Sequence, residues 1–136
     1  MAGYSGTPLA RKLGIRPGHR VALVGDPGHG RALLDPLPEG VEIGERMGPA
    51  DVVVWFVTRR AELGAGLDGL GQAIFPAAAG WVSWPKRAAA RRIPTDLTED
   101  VIRQVALPVG LVDVKVCAVD DDWSALKLVW RKEHRC

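Results

Sequence analysis

The sequence predicts an α/β fold: a compact three-layer, Rossmann-like domain with a mostly parallel sheet and a C-terminal antiparallel hairpin. Three observations carry this. Asp51–Arg60 holds an unbroken apolar run, Val52 to Val57, that turns polar at Thr58. A run so short, β-branched and aromatic reads as a strand buried on both faces, as parallel strands are. Helical spacing follows, with Leu63, Leu67, Leu70 and Ile74 forming one stripe between Ala61 and Ile74. Two apolar runs, Leu111–Val119 and Ser124–Arg131, then flank Asp120-Asp121-Asp122-Trp123. Strands interleaved with helices and closed by a hairpin give this architecture.

The totals set the frame. At 136 residues the chain makes a single domain, 1–136, with one substantial core. A net charge of +2 does not by itself imply a polyanionic partner. The 16 Gly and 10 Pro point to tight connections between short elements. Cys117 and Cys136 read as unpaired thiols in a reducing compartment. No apolar segment of secretory length opens the chain, and none approaches the ~20 residues of a membrane span. The expected location is cytoplasmic, with no membrane partner.

In chain order, residues 1–6 are small and flexible in composition. Thr7-Pro8 starts a short helix with Thr7 as cap and Leu9, Ala10 and Leu13 on one face. Val21–Val24 is the first core strand and Val41–Ile43 a short second strand near an edge. Arg31–Leu34 makes one helical turn between them. Glycines at 64, 66, 69 and 71 each weaken the Ala61–Ile74 helix by up to ~1 kcal/mol, so tertiary packing must hold it. Trp81–Trp84 is the next strand. Its two tryptophans are three apart and point to opposite faces. Lys86–Arg92 reads as a solvated loop. Asp96-Leu97-Thr98-Glu99 has capping-box spacing, with Asp96 as cap and Glu99 reaching back. The helix it opens buries Val101, Ile102, Val105 and Ala106.

In open α/β sheets, ligands sit beyond the carboxyl ends of the strands. Here those ends are Gly25-Asp26, Thr58-Arg59-Arg60 and Trp84-Pro85-Lys86. The candidate ligand residues are therefore Asp26, Gly28, Gly30, Thr58, Arg59 and Lys86. Gly25-Asp26-Pro27-Gly28-His29-Gly30 is a glycine-rich loop directly after a strand, the place where a backbone approaches a phosphate or adenosine. Pro27 breaks the dinucleotide spacing, and a tight turn explains the loop more simply. Arg59 and Lys86 suit a small anion. Lys86–Arg92 beside Trp81 and Trp84 suggests nucleic acid only weakly, since the two rings do not share a face. His19, His29 and His134 lack metal-ligand spacing, and no nucleophile elbow or His/Cys pairing suggests a hydrolase. No catalytic residue and no metal ligand is assigned.

Several stretches carry a family likeness: Gly3–Gly18, Trp84-Pro85-Lys86, Pro94–Asp100, Gly110–Asp120 and Trp123–Lys127. Together they resemble a bacterial family of unknown function, number three thousand and fifty-two in the domain-of-unknown-function series. The likeness spans nearly the whole chain and departs from the family pattern at Arg87–Arg92. It implies a Rossmann-like fold but no activity. The layout also resembles the later half of a class I methyltransferase. That likeness implies S-adenosylmethionine at the Gly25–Gly30 loop, with Glu45 as the acidic residue after the second strand. The leading expectation is a non-catalytic module that binds a small anionic ligand or a protein and needs no cofactor. A homodimer stays open. The alternative is an S-adenosylmethionine- or nucleotide-binding enzyme of degenerate class I type.

Overall fold

Strand β3 (Val52–Phe56) is buried at every residue and lies inside the sheet. β1 (Arg20–Val24) and β4 (Ala79–Pro85) flank it, both parallel to it. β2 (Glu42–Gly44) adds outside β1, again parallel. β5 (Leu111–Ala118) and β6 (Trp123–Trp130) form the expected hairpin, with β6 antiparallel to β4 and β5 at the edge. The order is β2-β1-β3-β4-β6-β5. The structure is a computed structural model that describes residues 7–135. The expectations for residues 1–6 and for Cys136 lie outside the described residues.

Alternation along the strands divides the core into two layers. Val53, Trp55, Val82 and Leu126 face α3 (Arg60–Ile74) and α4 (Glu99–Ala106). Val21, Val54, Trp81 and Ala125 face the other way, toward α1 (Leu9–Lys12) and the chain around α2 (Gly30–Leu33). Trp81 and Trp84 fall in opposite layers, as their spacing predicts. The Trp81 indole N–H donates to the Leu13 carbonyl at 3.0 Å and so ties α1 to the sheet. On α3 the stripe Leu63, Leu67, Leu70 and Ile74 is fully buried. Each such side chain contributes about 1.5–3 kcal/mol on burial. That exceeds the ~1 kcal/mol or less that each glycine costs the helix. Packing therefore decides in favour of α3.

Three local expectations are corrected. Thr7 gives no cap bond; Pro8 occupies the N-cap position of α1. Asp96 does not cap α4. Thr98 does, accepting from the Val101 amide at 3.2 Å, while Glu99 pairs with Arg103. Asp96 instead accepts from the Arg60 amide at 2.7 Å. The physical reason is that α3 begins directly after a strand, with Arg59 at its N-cap position. An arginine side chain cannot accept a hydrogen bond, so a distant carboxylate satisfies the open amide. The Lys86–Arg92 segment is not a plain solvated loop: it opens with a 3-10 turn, Arg87–Ala89, and Ala89 is buried. Among the described residues no helix is long and apolar enough to cross a membrane.

Candidate functional site

Because β1, β3 and β4 run parallel, their carboxyl ends deliver Asp26, Thr58, Arg59 and Lys86 to one edge. The chain goes outward from β1 to β2 and returns on the other side of β1 to form β3. The strand order thus reverses between β1 and β3, where open α/β sheets carry their ligand crevice. In this molecule the crevice is narrow at its root. Gly25 has φ +71°, and a Cβ there would stand 2.5 Å from the Phe56 carbonyl oxygen. This glycine is required by the close approach of two strand ends.

The loop that follows folds around its own carboxylate. Asp26 Oδ1 accepts from the amides of Gly28 at 2.8 Å and Gly30 at 2.6 Å, and Oδ2 accepts from Arg31 at 3.1 Å. Burial is the largest single influence on this carboxyl and pushes its pKa up. The amides of Gly28, Gly30, Arg31 and His29 together outweigh burial and hold it below the ordinary carboxylate value. Gly28 has φ +121°, and a Cβ on Gly30 would lie 2.8 Å from Asp26 Oδ1. Turn geometry and this internal carboxylate account for the glycines. The three candidates Asp26, Gly28 and Gly30 are brought together, but they bind one another.

The other candidates are held by residues that sequence reasoning missed. The Thr58 carbonyl accepts from Thr95 Oγ1 at 2.6 Å, and Thr95 Oγ1 accepts in turn from the Leu97 amide at 3.0 Å. Arg59 is exposed just before α3. The Lys86 amide donates to the Asp122 carbonyl at 2.7 Å. The Arg92 guanidinium forks onto the Asp122 carboxylate at 2.6 and 3.2 Å. His29 Nε2 lies 3.0 Å from Asp120 Oδ2, which joins the β1 loop to the same hairpin turn. The carboxyl edge is therefore cross-linked: the 120–122 turn holds the loops after β1 and β4, and Thr95 and Asp96 hold the end of β3. The three aspartates are legible in sequence as a turn. Their partners, up to 91 residues away, have no local signal.

Among the described residues no group of three or more His, Cys, Asp or Glu side chains could hold a metal ion. A depression of about 360 Å³ stays open beside the end of β4, lined by Trp84, Arg87, Thr95, Thr98 and Glu99 among others. Its carboxylate and both its hydroxyls are already engaged within the protein, Glu99 with Arg103, Thr98 with the Val101 amide and Thr95 with Thr58 and Leu97, which leaves the Arg87 cation and an aromatic wall.

No protein-family model and no curated protein matches this chain. Solved structures do. NodS, an N-methyltransferase from Bradyrhizobium japonicum, superposes with a TM-score of 0.59 at 12% identity, over 95% of this chain and 100% of that one. NcsB1, an O-methyltransferase from neocarzinostatin biosynthesis solved with S-adenosylmethionine, gives 0.61 at 14%, over 96% of this chain. The chain spans about half of NcsB1, 51% of its length. DhpI, solved with S-adenosylhomocysteine, gives 0.61 at 10%, over 92% of this chain and 83% of that one. Identities this low speak for the fold alone, and the fold of this chain is that of the Rossmann-like methyltransferases.

Proposed function

We propose that the chain is a degenerate methyltransferase-like domain that binds a small ligand at its carboxyl edge without transferring a methyl group. The observation that carries this reading is the Asp26 carboxylate. It takes the amides of Gly28, Gly30 and Arg31, the donors that a glycine-rich loop otherwise turns toward an anionic ligand. A carboxylate- or phosphate-bearing cofactor at this loop would have to displace Asp26, and burying two anions together is costly. As the loop is folded, these three amides are not free for the carboxylate of S-adenosylmethionine, so the cofactor would bind here only through its other groups or by displacing Asp26. The depression beside β4 is the alternative seat, with Arg87 to meet a negative charge and the Trp84 ring as apolar wall.

A second reading, an S-adenosylmethionine-binding enzyme, is favoured by the structural neighbours, of which NcsB1 and DhpI were solved with the cofactor or its product. Calorimetry together with amide chemical shifts separates the two. Under the first reading, S-adenosylmethionine and S-adenosylhomocysteine leave the Gly28, Gly30 and Arg31 amides unmoved. Saturable binding that shifts those three amides, and is strengthened by Asp26→Ala, would replace it with the second.

A further inference from the structure

A second basic cluster lies in the α1 layer, away from the carboxyl edge. Its floor is Trp81, fully buried and tied to the Leu13 carbonyl. Lysines from two strands gather about that ring. Lys127 of β6 stands directly opposite Trp81 in the β4–β6 register. Paired antiparallel residues send their side chains to one face, so Lys127 shares the face of Trp81. Lys115 of β5 carries its Nζ over the Trp81 ring, 5.9 Å from the centroid. Cys117 packs against the same layer.

These groups feel one another. Burial pushes the Cys117 thiol up, while Lys12 and Lys115 pull it the other way. Burial, and then the charge of Lys115, push the Lys127 ammonium down. Neither Lys115 nor Lys127 meets a carboxylate among the described residues. Two neighbouring ammonium groups, one of them half-buried, with no carboxylate between them, are an unfavourable arrangement that an anion relieves. Lysines act as point charges with rotatable donors, which suits the several oxygens of a phosphoryl group. Surface strand lysines are ordinarily dispersed and solvated; these converge from β5 and β6 on one buried ring.

We propose that Lys115 and Lys127 form a binding site for a phosphate-type oxyanion beside Cys117, in the α1 layer of the sheet. The site is independent of the carboxyl edge and of the reading given for it. Cys117 supplies the reporter. In a Cys136→Ser background, the alkylation rate of Cys117 is measured with inorganic phosphate and with sodium chloride at equal ionic strength and pH. At about ten times its Kd, phosphate leaves about a tenth of the sites open, so alkylation slows about tenfold. Lys127→Gln and Lys115→Gln, each checked for native near-ultraviolet dichroism, lose that protection. Equal slowing by chloride, no slowing by phosphate, or undiminished protection in both lysine variants would overturn the proposal. Should Lys127→Gln fail to fold, the exposed Lys115→Gln decides alone.

Discussion

The Trp55 indole lies where a side chain on Gly66 would stand: a Cβ there would be 2.7 Å from both Cζ2 and Cη2 of the ring. The glycines of α3 are thus not equivalent. Gly64, two residues earlier, has nothing within 4 Å of its Cβ position. Gly64→Ala removes a helix-interior glycine at no steric cost and raises stability by about 0.5–1 kcal/mol. Gly66→Ala makes the same gain in propensity, but must push a buried ring that sits in the core between sheet and helix. Overpacking of that kind costs about 1–3 kcal/mol, so the variant is destabilised on balance. Thermal unfolding of the two variants tests this; equal shifts in Tm would contradict it.

Asp26→Asn separates the loop's internal carboxylate from its shape. The amide side chain keeps one acceptor but loses the charge, and the cost at neutral pH is about 1–2 kcal/mol. The folded-state pKa lies below the ordinary value because the loop amides outweigh burial. A depressed carboxyl binds its proton less tightly folded than unfolded. Its stabilisation is complete above the ordinary carboxylate pKa, about 4, and is lost as pH falls through the lower folded value. The Tm gap between wild type and Asp26→Asn is therefore constant from neutrality down to about pH 5 and closes below about pH 4. A gap that widened with acid would reverse the assignment.

Most of the architecture was legible because it rests on local pattern. The unbroken run Val52–Val57, the Leu63–Ile74 stripe and the alternating Leu126, Leu128 and Trp130 specify burial and period by themselves. Each lies in the element expected, and the parallel arrangement follows from helices between the strands. The candidate residues stand together at the carboxyl ends of the parallel strands for the same reason. What they do there was not legible. Asp26 was read as facing a ligand, yet the donors it meets are two to five residues ahead, a choice of rotamer that residue type leaves open. Asp96 was read as the cap of the following helix, and it caps one that begins 36 residues earlier. Capping obeys local spacing only when the acceptor's own helix is the nearest open amide.

That exchange of caps predicts two separable losses. Thr98→Ala removes the acceptor for Val101 and frays the first turn of α4. Asp96→Ala removes the acceptor for Arg60 and frays α3, although residue 96 lies outside that helix. Each costs about 1 kcal/mol, within the usual range for a lost cap. Hydrogen exchange resolves them by site: the Arg60 amide quickens in Asp96→Ala and holds in Thr98→Ala, with the converse at Val101. Quickening of both amides in both variants would mean that the 95–101 segment opens as one unit.

Arg92 and Asp122 test how the β4 loop is fastened. The guanidinium fork is the main cause holding the Asp122 carboxyl below its ordinary pKa. The pair is nevertheless exposed, and exposed ion pairs add little to global stability. Arg92→Ala is therefore expected to leave Tm nearly unchanged while altering the loop. Two fastenings act in series: the backbone bond from Lys86 to the Asp122 carbonyl at the near end, and the Arg92 fork at the far end. Only the second is lost in the variant. Protection of the Arg92 and Ile93 amides, which donate to Ala89, falls, while protection at Lys86 persists. In wild type the same selective loss follows high salt, which screens exposed charge. It also follows acid, once pH drops from the ordinary carboxylate range through the lower folded value of Asp122. Segments that open alone, below the global unfolding free energy, are those a binding protein moves to admit a ligand. Uniform loss at Lys86 and Ile93 together would instead make the loop one rigid body with the hairpin turn.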